Sequence, residues 1–334
     1  MNIKKICLLI AVLTISSPSF AKKKAVKSAI NPRVQTSMVV DAESGKILHN
    51  VNGHERIYPA SLTKLMTIYM AFDALEKGKL TMEERLHVSA RATKVIPLKL
   101  NLKPGQTIST KDAILGMVVH SANDASNVIG EAVSGTQEKF AVAMTKKAHE
   151  LGMKNTEFYN AHGLHHPNQK TTATDLVKLT LALKRDFPQY YDMMSATSMQ
   201  FEGKTVATHN RVLKNYEGAE AGKTGFTNPA GLNLVIAAKR GDKKLIGVVT
   251  GSNSRVSRDD KMVRLLDSHF GVSNDVFANA PTTVKKVEQA SSKKKLVIAK
   301  AKMPVKKFAA KKTNKISAKK HLIKKSSKVK TTRV

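Results

Sequence analysis

Three short strings in this 334-residue chain pair hydroxyls with amines or amides at spacings that could do chemistry. The first is Ser61-Leu-Thr-Lys64. Residues three apart share one face of a helix, so the Ser61 hydroxyl and the Lys64 amine can meet. Serine is a poor nucleophile until a base takes its proton. Lysine serves as that base only when its pKa falls far below about 10.4, which burial beside other cations achieves. The second string is Ser121-Ala-Asn123, the only Ser-x-Asn in the chain. Its hydroxyl can relay a proton, and its amide can bond both a substrate carbonyl and a lysine. The third is Lys223-Thr-Gly225, also unique. A cation and a hydroxyl there suit a carboxylate, and the glycine would let a substrate backbone lie close. Ser-x-x-Lys by itself says little, since lysine abundance repeats it at Ser19, Ser291, Ser292, Ser317 and Ser327. The ordered trio carries the signal.

Elements to position these strings are legible around them. Thr36–Asp41 and Lys46–Asn50 are β-rich and flank the Ser44-Gly45 turn, which reads as a hairpin. Pro59 precedes a helical stretch from Ser61 through Leu75, with Leu65, Ile68, Phe72 and Leu75 giving helical recurrence. Proline suits the first turn of a helix, and Gly78 is a plausible stop. From there to about residue 200 the pattern is mainly helical, with candidates at 111–119, 124–133, 137–151 and 174–183. Leu232–Ala238 and Leu245–Thr250 read as strands joined at Arg240-Gly241-Asp242, and Asp259–Phe270 as a closing helix. Strands at both ends with helices between them predict an α+β fold: one antiparallel sheet built from both termini, with a helical insertion.

With these strings in view, the chain resembles the low-molecular-mass penicillin-binding proteins, the serine D-alanyl-D-alanine carboxypeptidases, over about residues 34–271. The likeness extends to Ser121-Ala-Asn-Asp-Ala125, Leu151-Gly-Met-Lys-Asn-Thr156, Asn160-Ala-His-Gly-Leu164, Thr172-Ala-Thr-Asp-Leu176 and Ala230-Gly-Leu-Asn-Leu234. It implies the penicillin-binding, β-lactamase-like transpeptidase fold. It also implies roles. Ser61 attacks the carbonyl between the two terminal D-alanines of a peptidoglycan stem peptide, Lys64 takes the serine proton, and Ser121 with Lys223 passes a proton to the leaving D-alanine. Asn123 positions the peptide, and Thr224 with Lys223 holds the terminal carboxylate beside Gly225. The oxyanion faces the N–H groups of Ser61 and Phe226. Arg258, after the last strand, is the candidate for a further carboxylate contact. β-Lactams mimic the peptide and are expected to acylate Ser61.

Two departures bear on specificity. Phe226 stands where the family commonly has histidine or tyrosine. The chain also passes directly into a lysine-rich tail, where well-known members continue into a β-rich domain and an amphipathic anchor. Short relatives include D,D-endopeptidases that cut crosslinks, so carboxypeptidase and endopeptidase both stand as expectations. From a different class, a basic wall- or polyanion-binding protein with a vestigial hydrolase body is the alternative, and the intact trio argues against it.

The ends set compartment and charge. Residues 1–21 have the order of a secretory signal peptide, basic then apolar then small, so the chain is expected to be exported to the periplasm or cell envelope without a retained membrane span. The only cysteine, Cys7, lies in that signal, which excludes disulfides, thiolate metal sites and a thiol nucleophile from the mature protein. Of the formal charge of +32, residues 285–334 contribute +18 (nineteen Lys or Arg against Glu288), residues 1–27 add +6, and the body holds +8. The expected organisation is a basic linker over 22–33, a peptidase domain over 34–278 and a disordered tail over 279–334. The tail could hold the protein to anionic envelope polymers or lipid head groups, and export argues against nucleic acid. His162, His165 and His166 lack a carboxylate at ligand spacing, so no metal is expected. No organic cofactor is expected either, because serine and lysine complete the proton chemistry. Gly218–Thr224 is one residue short of a phosphate loop, and no Glu-x-x-Leu-Asn string supports efficient β-lactam hydrolysis.

Overall fold

The computed structural model describes residues 33–271. The segments read above as a signal peptide, a basic linker (all but Arg33) and a lysine-rich tail lie outside these residues. Among the described residues no helix is long and apolar enough to cross a membrane.

Strands β1 (Thr36–Asp41) and β2 (Ile47–Val51) form the expected hairpin. A 3-10 turn (Ala60–Thr63) leads into helix α1 (Lys64–Glu76). Strands β3 (Arg85–His87) and β4 (Thr107–Ser109) pair beside α2 (Thr110–Leu115), which runs on as a π-helical turn (Gly116–His120). Helices α3 (Asn123–Ser134), α4 (Gln137–Glu150), α5 (Ala173–Asp186) and α6 (Pro188–Tyr191) follow. A second small hairpin, β5 (Ser198–Phe201) with β6 (Lys204–Ala207), precedes α7 (Arg211–Asn215). The chain then returns through β7 (Ala219–Thr227), β8 (Gly231–Arg240) and β9 (Lys243–Ser252) to α8 (Arg255–Phe270).

The five long strands form one antiparallel sheet in the order β2-β1-β9-β8-β7. The N-terminal hairpin therefore joins the C-terminal meander, as expected, and β7 with its Lys-Thr-Gly lies at an edge. Alternate residues serve opposite faces. Val40, Val235, Ile246 and Val248 pack towards the large core around α1 and α5, whereas Val39, Leu234, Leu245 and Val249 pack with Met262 and Leu266 of α8. Helix α1 is buried from Lys64 through Phe72, so it is the central helix of the body and not a half-exposed one. Its first residue is the catalytic candidate. Lys64 therefore starts life in the core.

Four sequence expectations need correction. Ser61 lies in a 3-10 turn and not in α-helix, and Ala60 before it adopts φ +49°. Pro59 precedes that turn and does not lie within its first residues. The closing helix starts at Arg255, four residues before Asp259, because the Ser254 hydroxyl caps it by accepting from Ser257 N at 3.0 Å. The mainly helical stretch also contains β3 and β4, whose three-residue ladder is too short to show alternation.

Candidate active site

The turn carrying Ser61 is held from two sides. From the sheet, the buried Asn233 amide donates to the carbonyls of Tyr58 (3.1 Å) and Pro59 (3.2 Å), while its oxygen accepts from Gly251 N (3.0 Å). Gly225 of β7 packs against the same turn: a Cβ there would reach Pro59 O and Ser61 N at 3.1 Å and Leu62 N at 3.2 Å. The space the sequence reading reserved for substrate backbone is, on that side, filled by the chain's own backbone. From the helical side, Gly163 has φ +89°, and a Cβ on it would overlap the Ala60 carbonyl. Two glycines and one asparagine thus clamp the strained Ala60 conformation, the kind of cost that only surrounding structure maintains.

The 3-10 geometry matters because residues three apart eclipse in it. Lys64 Nζ lies 3.1 Å from Ser61 Oγ, 2.6 Å from Asn123 Oδ1 and 2.6 Å from the His162 carbonyl oxygen. Lys64 is fully buried (0 % exposed), and its pKa is well below 10.5, first through loss of hydration and then through the charge of Lys223; Asp124 opposes the shift. A neutral amine donates two hydrogens and offers one lone pair. The amide and carbonyl oxygens take the two hydrogens, which leaves the lone pair for the Ser61 proton. His162 is itself pushed down to about 3 by burial and by Lys64, so it stays uncharged.

Ser121 closes the π-helical turn with φ +59°, a left-handed conformation that costs a non-glycine residue of order 1–3 kcal/mol. The Lys223 amine donates to Ser121 Oγ at 2.9 Å and to the Thr224 carbonyl at 3.0 Å. Asn123 is fixed by the loop before it: its N–H donates to Leu98 O (2.8 Å) and its amide to Pro97 O (2.6 Å). The buried Asp124 carboxylate pins that loop by accepting from Leu100 N and Leu102 N. Residues 61, 64, 121, 123 and 223 therefore converge on one cleft.

The outer part of the cleft is less as expected. Thr224 Oγ1 lies 3.0 Å from His209 Nε2, and His209 is pushed down to about 4 by burial and by Lys223, Arg255, His120 and Arg258. A neutral His209 that donates Nε2–H leaves the threonine proton for a ligand. Arg258 is 3 % exposed, lies in the first turn of α8 and donates through Nε (2.9 Å) and Nη2 (2.6 Å) to one oxygen of Asp259. Its charge nonetheless contributes to the depression of Lys223. Phe226 is 55 % exposed at the edge strand. Among the described residues there is no cluster of three or more His, Cys, Asp or Glu that could hold a metal.

Comparison with known proteins decides the lineage. A family profile described as D-alanyl-D-alanine carboxypeptidase matches residues 22–254. The chain belongs to that family. It is 31 % identical over 297 residues to the D-alanyl-D-alanine carboxypeptidase DacF of Bacillus subtilis, covering 86 % of this chain and 76 % of that one. Penicillin-binding protein 5 of Haemophilus influenzae superposes with a TM-score of 0.68 at 33 % identity, over 71 % of this chain and 70 % of the other. Penicillin-binding protein D2 of Listeria monocytogenes, solved with ampicillin bound, gives 0.65 at 28 % identity over 70 % and 96 %. The fold is the penicillin-binding α+β fold, and the protein is a serine-type D-alanyl-D-alanine carboxypeptidase.

Sequence reasoning missed His209, Asn233, Gly163 and the His162 carbonyl. The last two lie in Asn160-Ala-His-Gly-Leu164, where a glycine after the histidine was the available signal.

Lys223 gives this carboxypeptidase a measurable pH signature. Burial, and next Arg258, lower its pKa from 10.5 to about 7. Between about pH 7 and pH 10 the unfolded chain binds a proton that the native state does not, so unfolding free energy rises with pH across that window. Lys223→Met is expected to flatten that rise, as read from urea unfolding at pH 7 and pH 9.5.

Proposed function

We propose that the protein is an exported enzyme that removes the terminal D-alanine from peptidoglycan stem peptides through an acyl-enzyme on Ser61, and that β-lactams inhibit it by acylating the same oxygen. The observation that carries this reading is the Lys64 amine, fully buried, lowered in pKa and 3.1 Å from Ser61 Oγ. Ser61 Oγ forms a bond to the carbonyl carbon between the two D-alanines as its proton passes to Lys64. The negative charge that develops on the carbonyl oxygen is met by the N–H groups of Ser61 and Phe226. One such donor is worth about 3 kcal/mol of barrier. The C–N bond then breaks, and the leaving amine takes a proton through Ser121, which Lys223 touches at 2.9 Å. Water adds to the ester carbonyl, the C–Oγ bond breaks, and Ser61 recovers its proton.

Recognition follows from charge and shape. Lys223 and the Thr224 hydroxyl hold the terminal carboxylate, with the His209 hydrogen bond orienting that hydroxyl. Arg258 adds positive potential from behind its Asp259 partner. Asn123 aligns the peptide while holding Lys64. Support for β-lactam inhibition comes from the ampicillin complex of the Listeria relative. Support for export comes from the signal-like order of residues 1–21.

The test uses fluorescent penicillin and a stem pentapeptide. The wild-type chain is expected to take one label and to release D-alanine from the pentapeptide, and Ser61→Ala to do neither. Labelling that persists in Ser61→Ala, or a wild-type chain that releases no D-alanine, would overturn the assignment.

A further inference from the structure

Asp124 lies beside the reacting groups and takes no step in the proposed reaction. It is fully buried (0 % exposed) and joins none of the ion pairs among the described residues. Three N–H groups donate to its two oxygens: Leu100 N at 3.0 Å and Ala125 N at 2.9 Å to Oδ1, and Leu102 N at 3.1 Å to Oδ2. In the first turn of α3, this is a setting for an anion. A buried carboxylate without a countercharge is costly, and it acts strongly on any charge nearby because little water screens it.

Two lines run from this carboxylate to the base. One is mechanical. Leu100 and Leu102 belong to the loop whose Pro97 and Leu98 carbonyls hold Asn123, and Asn123 Oδ1 holds the Lys64 amine at 2.6 Å. Ile96 and Leu98 of that loop are exposed (72 % and 43 %), so its place depends on what is buried behind it: the Leu100 and Leu102 side chains and the Asp124 carboxylate. The other line is electrostatic. The titratable groups that face the Lys64 amine are Lys223 from β7, Asp124 from α3 and His162 from the Asn160–Leu164 stretch. Burial and then Lys223 drive the amine towards its neutral form, His162 is uncharged, and Asp124 pulls the other way. An amine driven too far is a poor base, since proton transfer works best when the pKa of the base lies near the working pH.

We propose that Asp124 is a positioning residue for the base: its charge sets the pH at which Lys64 can accept the Ser61 proton, and its hydrogen bonds set where Asn123 holds that amine. The carboxylate acts through its neighbours and touches no reacting atom. This inference rests on the proposed role of Lys64 as the base.

Asp124→Asn and Asp124→Glu separate the two actions in the full chain. Acylation of Ser61 by fluorescent penicillin is followed against pH. The Lys64 amine is also titrated directly by nitrogen NMR, its signal assigned by its loss in Lys64→Met. Asparagine keeps the shape and one acceptor but removes the charge. It is expected to move both the acid limb of the acylation profile and the NMR titration of Lys64 about one pH unit lower. Glutamate keeps the charge and displaces the loop. It is expected to lower the plateau by roughly tenfold, as a misplaced base does, and to leave the acid limb where it is. A purely structural role would lower the plateau in both variants and move the limb in neither, and that result overturns the proposal. Should Asp124→Asn fail to fold, carbon NMR of the Asp124 carboxyl in wild type decides. A carboxyl that stays ionised through the acid limb upholds the proposal, and one that is protonated where the enzyme is active overturns it. If the Lys64 titration moves while the acylation limb does not, Asp124 acts on the amine as inferred and the assignment of Lys64 as the base falls.

Discussion

Lys64→Met is expected to slow acylation of Ser61 by at least about 10³-fold, whether read as fluorescent-penicillin labelling or as D-alanine release. Methionine nearly matches the lysine in volume, so the core around α1 keeps its packing. What disappears is the lone pair 3.1 Å from Ser61 Oγ. The stability change is more balanced. Two buried acceptors, Asn123 Oδ1 and the His162 carbonyl, lose their donor, at about 1–3 kcal/mol each. Against this, the substitution removes an amine that folding strips of water and holds near Lys223. The result expected is a folded protein with almost no acylation. Lys64→Arg separates charge from basicity: a guanidinium keeps the cation but has no lone pair to offer at neutral pH, so it should fail as fully as methionine. A Lys64→Met protein that retained more than a tenth of the wild-type rate would show that another group removes the serine proton.

Gly163→Ala is the second large effect, and it acts without touching a reacting atom. Its Cβ would overlap the Ala60 carbonyl and sit 3.0 Å from Ser61 N, and all three of its nearest neighbours are backbone. Backbone cannot swing aside as a side-chain tip can. The nucleophile turn must move, or Gly163 must leave φ +89°. A displacement of about 1 Å in a reacting group costs roughly 10² in rate, so kcat/KM should fall by about that factor. Stability should fall as well, by about 2–4 kcal/mol, from left-handed strain plus the clash. Gly152→Ala is the control: its φ is +77°, yet nothing lies within 4 Å of the added carbon. It should show only the conformational cost, about 1 kcal/mol, with labelling kinetics unchanged. If both variants lose the same stability and the same activity, Gly163 matters for its φ alone.

Both substitutions bear on one stretch of chain, Asn160–Leu164. Its carbonyl orients the base and its glycine admits the nucleophile turn. Thr67 of α1 also donates to the Ala161 carbonyl at 2.6 Å, which ties the same stretch to the helix that Lys64 begins.

Much of this was written in side-chain types. Ser61, Lys64, Ser121, Asn123 and Lys223 announce themselves because their chemistry depends on identity and their order is specific. The sheet from both termini was legible because its strands are long enough to show β-rich runs bounded by turns. The hairpins β3–β4 and β5–β6 were not, since three or four residues carry no period. Helix α8 was read four residues short because Ser254 was passed over as a cap. Tertiary structure alone decided the rest. The sequence places Ser61 and Lys64 one turn apart, but whether that turn is α or 3-10 depends on Asn233, Gly225 and Gly163 pressing on it from distant strands and loops. The amine's neutrality needs burial at the start of a central helix and the nearby charge of Lys223, and neither is a property of the local string. His162 contributes a carbonyl that any residue type would carry, so no residue type can advertise it. A sequence specifies which groups are present; only the packed chain sets their distances and removes the water between them, and acidity depends on both.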